Sequence, residues 1–135
     1  MGIEKAVKGA AAEAAGKATD TKETQKPQSE WNSYDWCDYG LQKLSFWKQY
    51  GKKSDLDEAI RAFKKALELD PSNKKAKEDL KRISQDLYLL GMQAYANGDY
   101  KTAIEYFKQA LELDKNNEKA RDGLAKAEKM ERFGE

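Results

Sequence analysis

The stretch GMQAYANGDYKTAIEYFKQALELDKNN, residues 91–117, decides the fold of this chain because it contains two amphipathic helical segments joined by one tight turn. The turn falls at residues 98–100, where glycine and aspartate interrupt the apolar pattern. Ala103, Phe107 and Ala110 then follow at i, i+4 and i+7, which places them on one face of the second helix. Two alanines flanking a phenylalanine, with a glycine across the turn, predict two antiparallel helices that approach closely around the ring.

This segment is similar to a tetratricopeptide repeat. The features that carry the resemblance are the small residue in the first helix, the turn, the alanine–phenylalanine–alanine face and the closing sequence ALELD. The chain departs from the family pattern at Leu87, where tryptophan is common, and at Lys115, where a proline usually closes the repeat. The resemblance implies an all-α fold in which antiparallel helix pairs form a short right-handed superhelical stack.

A second copy of the pattern lies 44 residues earlier in the chain. Residues 59–80 and 103–124 are identical at 13 of 22 positions, which is far more than shared helix composition would give. The closing proline is present in this copy as Pro71. We therefore predict two repeats, one at about 55–73 with a divergent preceding helix and one at 87–117.

The apolar spacing outside these cores predicts three more helices, five in all. One runs over residues 33–50, and one long helix runs from about residue 73 to residue 97, because no breaker interrupts its stripe of apolar residues. A final helix, ending at about Arg132, is expected to cap the stack. At a constant displacement of 44 residues Trp47 takes the place of Gly91, so we expect looser packing in the first repeat.

Two composition zones precede the second helix. Residues 1–30 are rich in alanine, lysine, threonine and glutamate and have no aromatic side chain, which predicts a disordered low-complexity tail or a segment that folds on a partner. The helical domain is expected to span 31–135. Residues 31–50 hold seven of the 14 aromatic side chains of the chain. These rings either cap the first edge of the helical stack or form an exposed binding surface.

Composition argues against several classes of function. The chain has no histidine and one cysteine, Cys37, so the usual general base, the commonest zinc ligands and an intrachain disulfide are absent. We expect no catalytic site, no metal and no cofactor. The net charge of +1 provides no overall field for nucleic acid, and no apolar run is long enough to cross a bilayer. Residues 1–20 lack the apolar core of a signal peptide, and we expect a cytoplasmic location.

The resemblance also implies where a partner would bind. In proteins of this family the first helices of successive repeats line a concave groove that holds a peptide or a helix of another protein. The residues expected to line it here are Leu41, Leu44, Lys48, Gln85, Tyr88, Met92, Tyr95, Lys119 and Lys126. A surface of tyrosine, methionine and lysine suits an amphipathic or partly acidic segment. The tyrosine and methionine stripe on the long helix is either open to a ligand or covered by neighbouring helices.

Two functions follow from this interpretation. The first is a non-enzymatic adaptor or scaffold that binds another protein in the groove. The second is a structural module that forms homo-oligomers through its aromatic N-terminal helix and its capping helix.

Overall fold

A computed structural model describes residues 26–134, and within that range the chain is all-α. Within these described residues a 3-10 turn, Gln28–Glu30, leads into five α-helices. These are α1 (Ser33–Tyr50), α2 (Lys53–Leu69), α3 (Lys74–Ala96), α4 (Tyr100–Leu113) and α5 (Glu118–Phe133). The predicted fold class and the predicted long, uninterrupted α3 are confirmed.

The chain divides into two compact units. The first runs to Asn73 and contains the antiparallel pair of α1 and α2; the second begins at Lys74 and contains α3, α4 and α5. Each unit therefore holds one copy of the alanine–phenylalanine–alanine face, on α2 and on α4 respectively.

Local side chains fix where these helices begin and end. The Asn32 side chain accepts a hydrogen bond from the Asp35 amide at 2.8 Å, and the Asp35 carboxylate accepts one from the Asn32 amide at 2.9 Å. This reciprocal capping box starts α1. Gly51 ends α1 and Gly98 follows α3, both with positive φ (76° and 81°), a conformation that glycine adopts at little cost. Asp99 then caps α4.

Each unit is centred on a phenylalanine that is fully removed from solvent. An ideal Cβ added to Gly91 would lie 2.6 Å from Cε1 of Phe107, so α3 approaches the ring as closely as a glycine allows. In the first unit the same contact belongs to Gly40, whose Cβ would lie 2.8 Å from Cε1 and Cζ of Phe63. The prediction that Trp47 takes this place, and that the first repeat packs loosely, is wrong.

The reason for this error is a difference in hairpin length. The second helices, α2 and α4, repeat after 44 residues, but the equivalent glycines of α1 and α3 are 51 residues apart. The hairpin of α1 and α2 therefore holds seven more residues, about two helical turns. These seven residues follow Gly40. The prediction, which used a constant displacement of 44 residues, had placed the extra length before the repeat motif.

The aromatic cluster of residues 31–50 divides into a buried and an exposed part. Trp31, Trp36 and Tyr39 pack together, with ring centroids 4.8 to 6.0 Å apart, and both tryptophans are buried. The Trp31 indole Nε1 donates to the Lys26 carbonyl at 3.1 Å. By contrast, the side chains of Tyr34 and Tyr50 are 66% and 45% exposed. These residues thus close the first unit and also leave rings on its surface.

The predicted tail comprises residues 1–30, and residues 1–25 of it lie outside the described residues. The described part of it, residues 26–30, is joined to α1 through the 3-10 turn and through an ion pair of 2.6 Å between Lys26 Nζ and Asp35 Oδ2. The boundary of the helical domain stays a prediction.

Candidate partner-binding site

A buried hydrogen-bonded bridge sets the position of the helices in the second unit. The Ser84 hydroxyl of α3 donates to the Ala110 carbonyl of α4 at 2.7 Å, and Asn117 Nδ2 donates to the Ser84 Oγ at 2.8 Å. Asn117 Oδ1 in turn accepts from the Ala120 amide and caps α5. This serine–asparagine bridge joins the middle of α3, the end of α4 and the start of α5.

The first unit contains the same bridge. Ser33 Oγ donates to the Ala66 carbonyl at 2.8 Å, and Asn73 Nδ2 donates to Ser33 Oγ at 2.7 Å. Sequence reasoning missed both bridges. The asparagines recur after 44 residues, which is a signal, but the serines recur after 51 and are hidden by the longer first hairpin.

The bridge and the central ring together place α3 beside α5. Gly123 of α5 also approaches Phe107, since its Cβ would lie 2.7 Å from Cζ, so the ring lies against glycines of two helices. Along the helix axes, Asn117 lies beside Ser84, to which it is hydrogen-bonded, and Gly123 lies at about the height of Gly91, because both glycines contact the Phe107 ring. The two helices therefore run in parallel over this length, with α4 behind them.

The sequence-predicted residues of α3 differ in their exposure. Gln85 and Met92 are exposed, whereas Tyr88 and Tyr95 are half-buried. The Tyr88 ring lies 6.0 Å from the ring of Phe107, and the Tyr95 ring lies 5.3 Å from that of Tyr100, measured between centroids. The two tyrosines are thus partly core residues, and the open part of the stripe is centred on Met92.

Leu89 is a further exposed apolar residue on α3, and sequence reasoning did not single it out. Its side chain is 57% exposed, against 37% for Met92 three positions later. By the helical period the two lie on one face. The signal for it was the unbroken apolar run from Leu87 to Leu90, which is too wide for a single buried stripe.

Two of the predicted site residues are lysines on the neighbouring helix α5. Lys119 and Lys126 on α5 are both exposed and seven residues apart, so they share a face about two turns apart. Asp122, also exposed, lies between them in sequence and reduces the positive charge without removing it.

The predicted residues of α1 are placed differently from those of α3. Leu41 is half-buried, Leu44 is buried with 7% exposure, and Lys48 is exposed. With the displacement of 51 residues, Leu41 corresponds to Met92 and Leu44 to Tyr95, while Lys48 falls in the additional turns. Tyr34, at the position of Gln85, is an exposed ring that the constant displacement had missed.

A polar cluster on the first unit is centred on Glu58. The Glu58 carboxylate accepts hydrogen bonds from Arg61 Nη2 at 3.1 Å and from the Tyr39 hydroxyl at 3.0 Å, which hold the pKa of Glu58 below its ordinary value. Burial raises the pKa of the Tyr39 hydroxyl, and its bond to Glu58 raises it further. Arg61 also lies over the Trp36 ring, 5.6 Å from its centroid. These contacts join α1 to α2.

Other kinds of site are not found in the part of the chain that the structure describes. Across residues 26–134 no group of three or more cysteine, aspartate or glutamate side chains is placed to hold a metal ion. Among the described helices, none combines the length and the apolar character that a membrane span requires.

The tetratricopeptide repeat family matches residues 84–117, and it matches again over residues 50–73. The first match begins and ends at the two residues of the serine–asparagine bridge. The second begins at the last residue of α1 and covers α2 and its closing turn. A comparison with curated protein sequences found no match.

The chain therefore carries two tetratricopeptide repeats. Repeats of this kind are generally protein–protein interaction modules and are typically non-enzymatic.

Proposed function

We propose that this protein is a non-enzymatic adaptor or scaffold that binds an amphipathic segment of another protein on the second unit, between α3 and α5. The observation that carries the proposal is the pairing of an exposed apolar stripe on α3 with a basic edge on the neighbouring α5. The compartment that we expect is the cytoplasm.

The apolar side of the surface supplies the anchor for such a segment. Met92 and Leu89 are exposed, and a methionine side chain adapts its shape to different partners. Tyr88 and Tyr95 lie beside them, held from behind by ring contacts with Phe107 and Tyr100. Rings that are fixed before binding lose little conformational entropy when a ligand covers them.

The basic side supplies specificity. Lys119 and Lys126 attract acidic side chains and repel basic ones, and this attraction is strongest at low salt. A helix or extended peptide with aliphatic residues along one edge and acidic residues along the next complements both sides at once.

Two synthetic peptides test the proposal. Both carry the same leucine stripe, but one has glutamates and the other lysines on the adjacent edge, and fluorescence anisotropy measures their affinity for the full chain. We expect the acidic peptide to bind more tightly, with a preference that shrinks as salt is added. Lys119→Glu with Lys126→Glu should reverse the preference, and Met92→Ser should weaken both peptides.

A matched control separates this surface from general charge effects. Lys108→Glu with Lys115→Glu changes the same number of charges at exposed positions of the same unit, away from the α3 side of α5. We expect this variant to keep the preference of the unmodified chain. The proposed surface would be contradicted if both charge variants lost the preference for the acidic peptide equally, or if the unmodified chain showed no preference between the peptides.

The second candidate function is self-association. It is favoured by exposed rings on the first and last helices, since Tyr34 of α1 and Phe133 of α5 are 66% and 69% exposed. Light scattering during size-exclusion chromatography tests it over a range of protein concentration. If the chain is a monomer at every concentration, the adaptor function is the remaining candidate. A dimer or larger assembly that is lost in Phe133→Ser would favour self-association.

A further inference from the structure

We propose that the tip of the hairpin formed by α1 and α2, residues 43–54, binds the surface of an anionic lipid membrane. This activity is separate from partner binding on the second unit and uses none of the same residues. The hairpin tip is defined here as the last two turns of α1, the turn at Gly51 and the first residues of α2.

The tip extends beyond the part of the hairpin that packs on the central ring. Helix α1 continues ten residues past Gly40, whereas α3 ends five residues past Gly91. Similarly, α2 begins six residues before Ala59, and α4 begins three before its equivalent alanine. At about 1.5 Å per residue the first hairpin is longer by roughly one turn or more on each helix.

The composition of the tip is basic and aromatic. From Tyr39 to Ser54 the chain has no aspartate or glutamate, in a protein whose basic and acidic residues nearly balance. The tip contains four lysines and three aromatic residues: Lys43, Phe46, Trp47, Lys48, Tyr50, Lys52 and Lys53. The first acidic residue after it is Asp55.

Side-chain contacts divide the four lysines. Lys43 Nζ lies 3.9 Å from Asp55 Oδ1 and above the Phe46 ring, so its contacts are within the hairpin. The other three lysines are exposed. Lys53 also lies 3.7 Å from Asp57, but both side chains are more than half exposed, and such a pair is weak in water. Lys52 and Lys53 therefore present two cations at the turn.

The aromatic residues favour a lipid surface over a nucleic acid. Phe46 and Trp47 are half-buried, and the Phe46 ring lies 6.5 Å from the ring of the exposed Tyr50, measured between centroids. Tryptophan and tyrosine are the side chains that collect at the boundary between lipid and water. Stacking of unpaired bases requires ring faces open along a groove, and a hairpin end with partly covered rings does not provide one. Lysines near an anionic leaflet each strengthen binding by about fivefold, so Lys52 and Lys53 together give roughly 25-fold.

Flotation of the full chain with phosphatidylcholine vesicles, with and without phosphatidylserine, tests the proposal. We expect binding to the phosphatidylserine vesicles, loss of that binding at high salt, and little binding to phosphatidylcholine alone. Lys52→Ser with Lys53→Ser should weaken binding by roughly 25-fold, and Tyr50→Ser should weaken it further.

Two control variants make the result specific to the tip. Lys64→Ser with Lys65→Ser removes two exposed lysines from the body of α2, and Tyr34→Ser removes an exposed ring from the other end of α1. Both should bind vesicles like the unmodified chain, and circular dichroism checks that all variants fold. The proposal is overturned if the chain does not float with phosphatidylserine vesicles, if the tip and control variants lose binding equally, or if the tip binds an RNA oligonucleotide and not vesicles.

Discussion

Replacing Gly91 by alanine perturbs the closest helix contact in the second unit. The new Cβ would lie 2.6 Å from Cε1 of Phe107, whereas carbon atoms in favourable contact are about 3.5 to 4.0 Å apart, so the ring would have to retreat by roughly 1 Å. Phe107 is fully buried, and Gly123 of α5 lies equally close to the same ring, so it has little room to move.

The expected size of the effect follows from two opposing terms. Overpacking of this kind costs about 1–3 kcal/mol, and alanine gains about 1 kcal/mol over glycine in a helix interior. With the ring enclosed from two helices, we expect a net loss of about 1–2 kcal/mol. For a domain of this size each kcal/mol lowers the melting temperature by about 4–8 °C.

A double-mutant cycle with Phe107→Leu isolates the steric term. Leucine lacks Cε1 and Cζ, two of the three ring atoms that the new Cβ would meet, so in that background Gly91→Ala should cost much less than in the parent chain. Urea unfolding followed by circular dichroism gives the four free energies, and we expect a coupling of about 1–3 kcal/mol. Additivity within about 0.5 kcal/mol would show that the glycine is not required by the ring, and the packing argument would fail.

Three further predictions concern other contacts. Asn117→Ala should destabilise by about 1–3 kcal/mol, because it removes the cap of α5 and a donor to the buried Ser84 hydroxyl; unfolding in urea unchanged from that of the parent chain would contradict the bridge. Ala110→Leu, at a position with no exposed surface, should cost about 1–3 kcal/mol, while Ala125→Leu on the exposed side of α5 should be nearly neutral in thermal unfolding. Glu58→Gln should be less stable than the parent at neutral pH, since the lowered pKa of the carboxyl stabilises the folded state above pH 4.5. That difference should disappear as the pH falls through the folded-state pKa, and a gap that persists in acid would contradict it.

The sequence predicted the helices well because their signals are local. The spacing of Ala103, Phe107 and Ala110 identified one packed face, and the structure places all three in the core. The bounds of α1, residues 33–50, follow from the cap at Asn32 and the turn at Gly51.

The equivalence of the two first helices could not be predicted in the same way. Identity between residues 59–80 and 103–124 fixed a displacement of 44, and nothing in that comparison reports the length of the preceding hairpin. Gly40 was therefore overlooked in favour of Trp47, and Ser33 was not paired with Ser84. A search for a glycine followed by the phenylalanine face, with the intervening length left free, would have found the correct match.

The candidate site was predictable in composition but not in exposure. Tyr88, Met92 and Tyr95 share a face by helical spacing, but spacing does not say which rings a neighbour covers. The structure gives the two tyrosines ring partners within the unit and leaves Met92 and Leu89 open. Whether Leu41, Leu44 and Lys48 of α1 contact a ligand stays a prediction.

Chemical-shift mapping with the acidic peptide is the measurement that tests the central proposal most directly. In a ¹⁵N-labelled full chain, we expect the largest amide shifts on two segments of the second unit, residues 85–95 of α3 and 119–126 of α5. We expect small shifts along α4, which lies behind these helices. Shifts that concentrate on α1 and α2, or that spread evenly over the charged residues of the chain, would contradict a binding surface between α3 and α5.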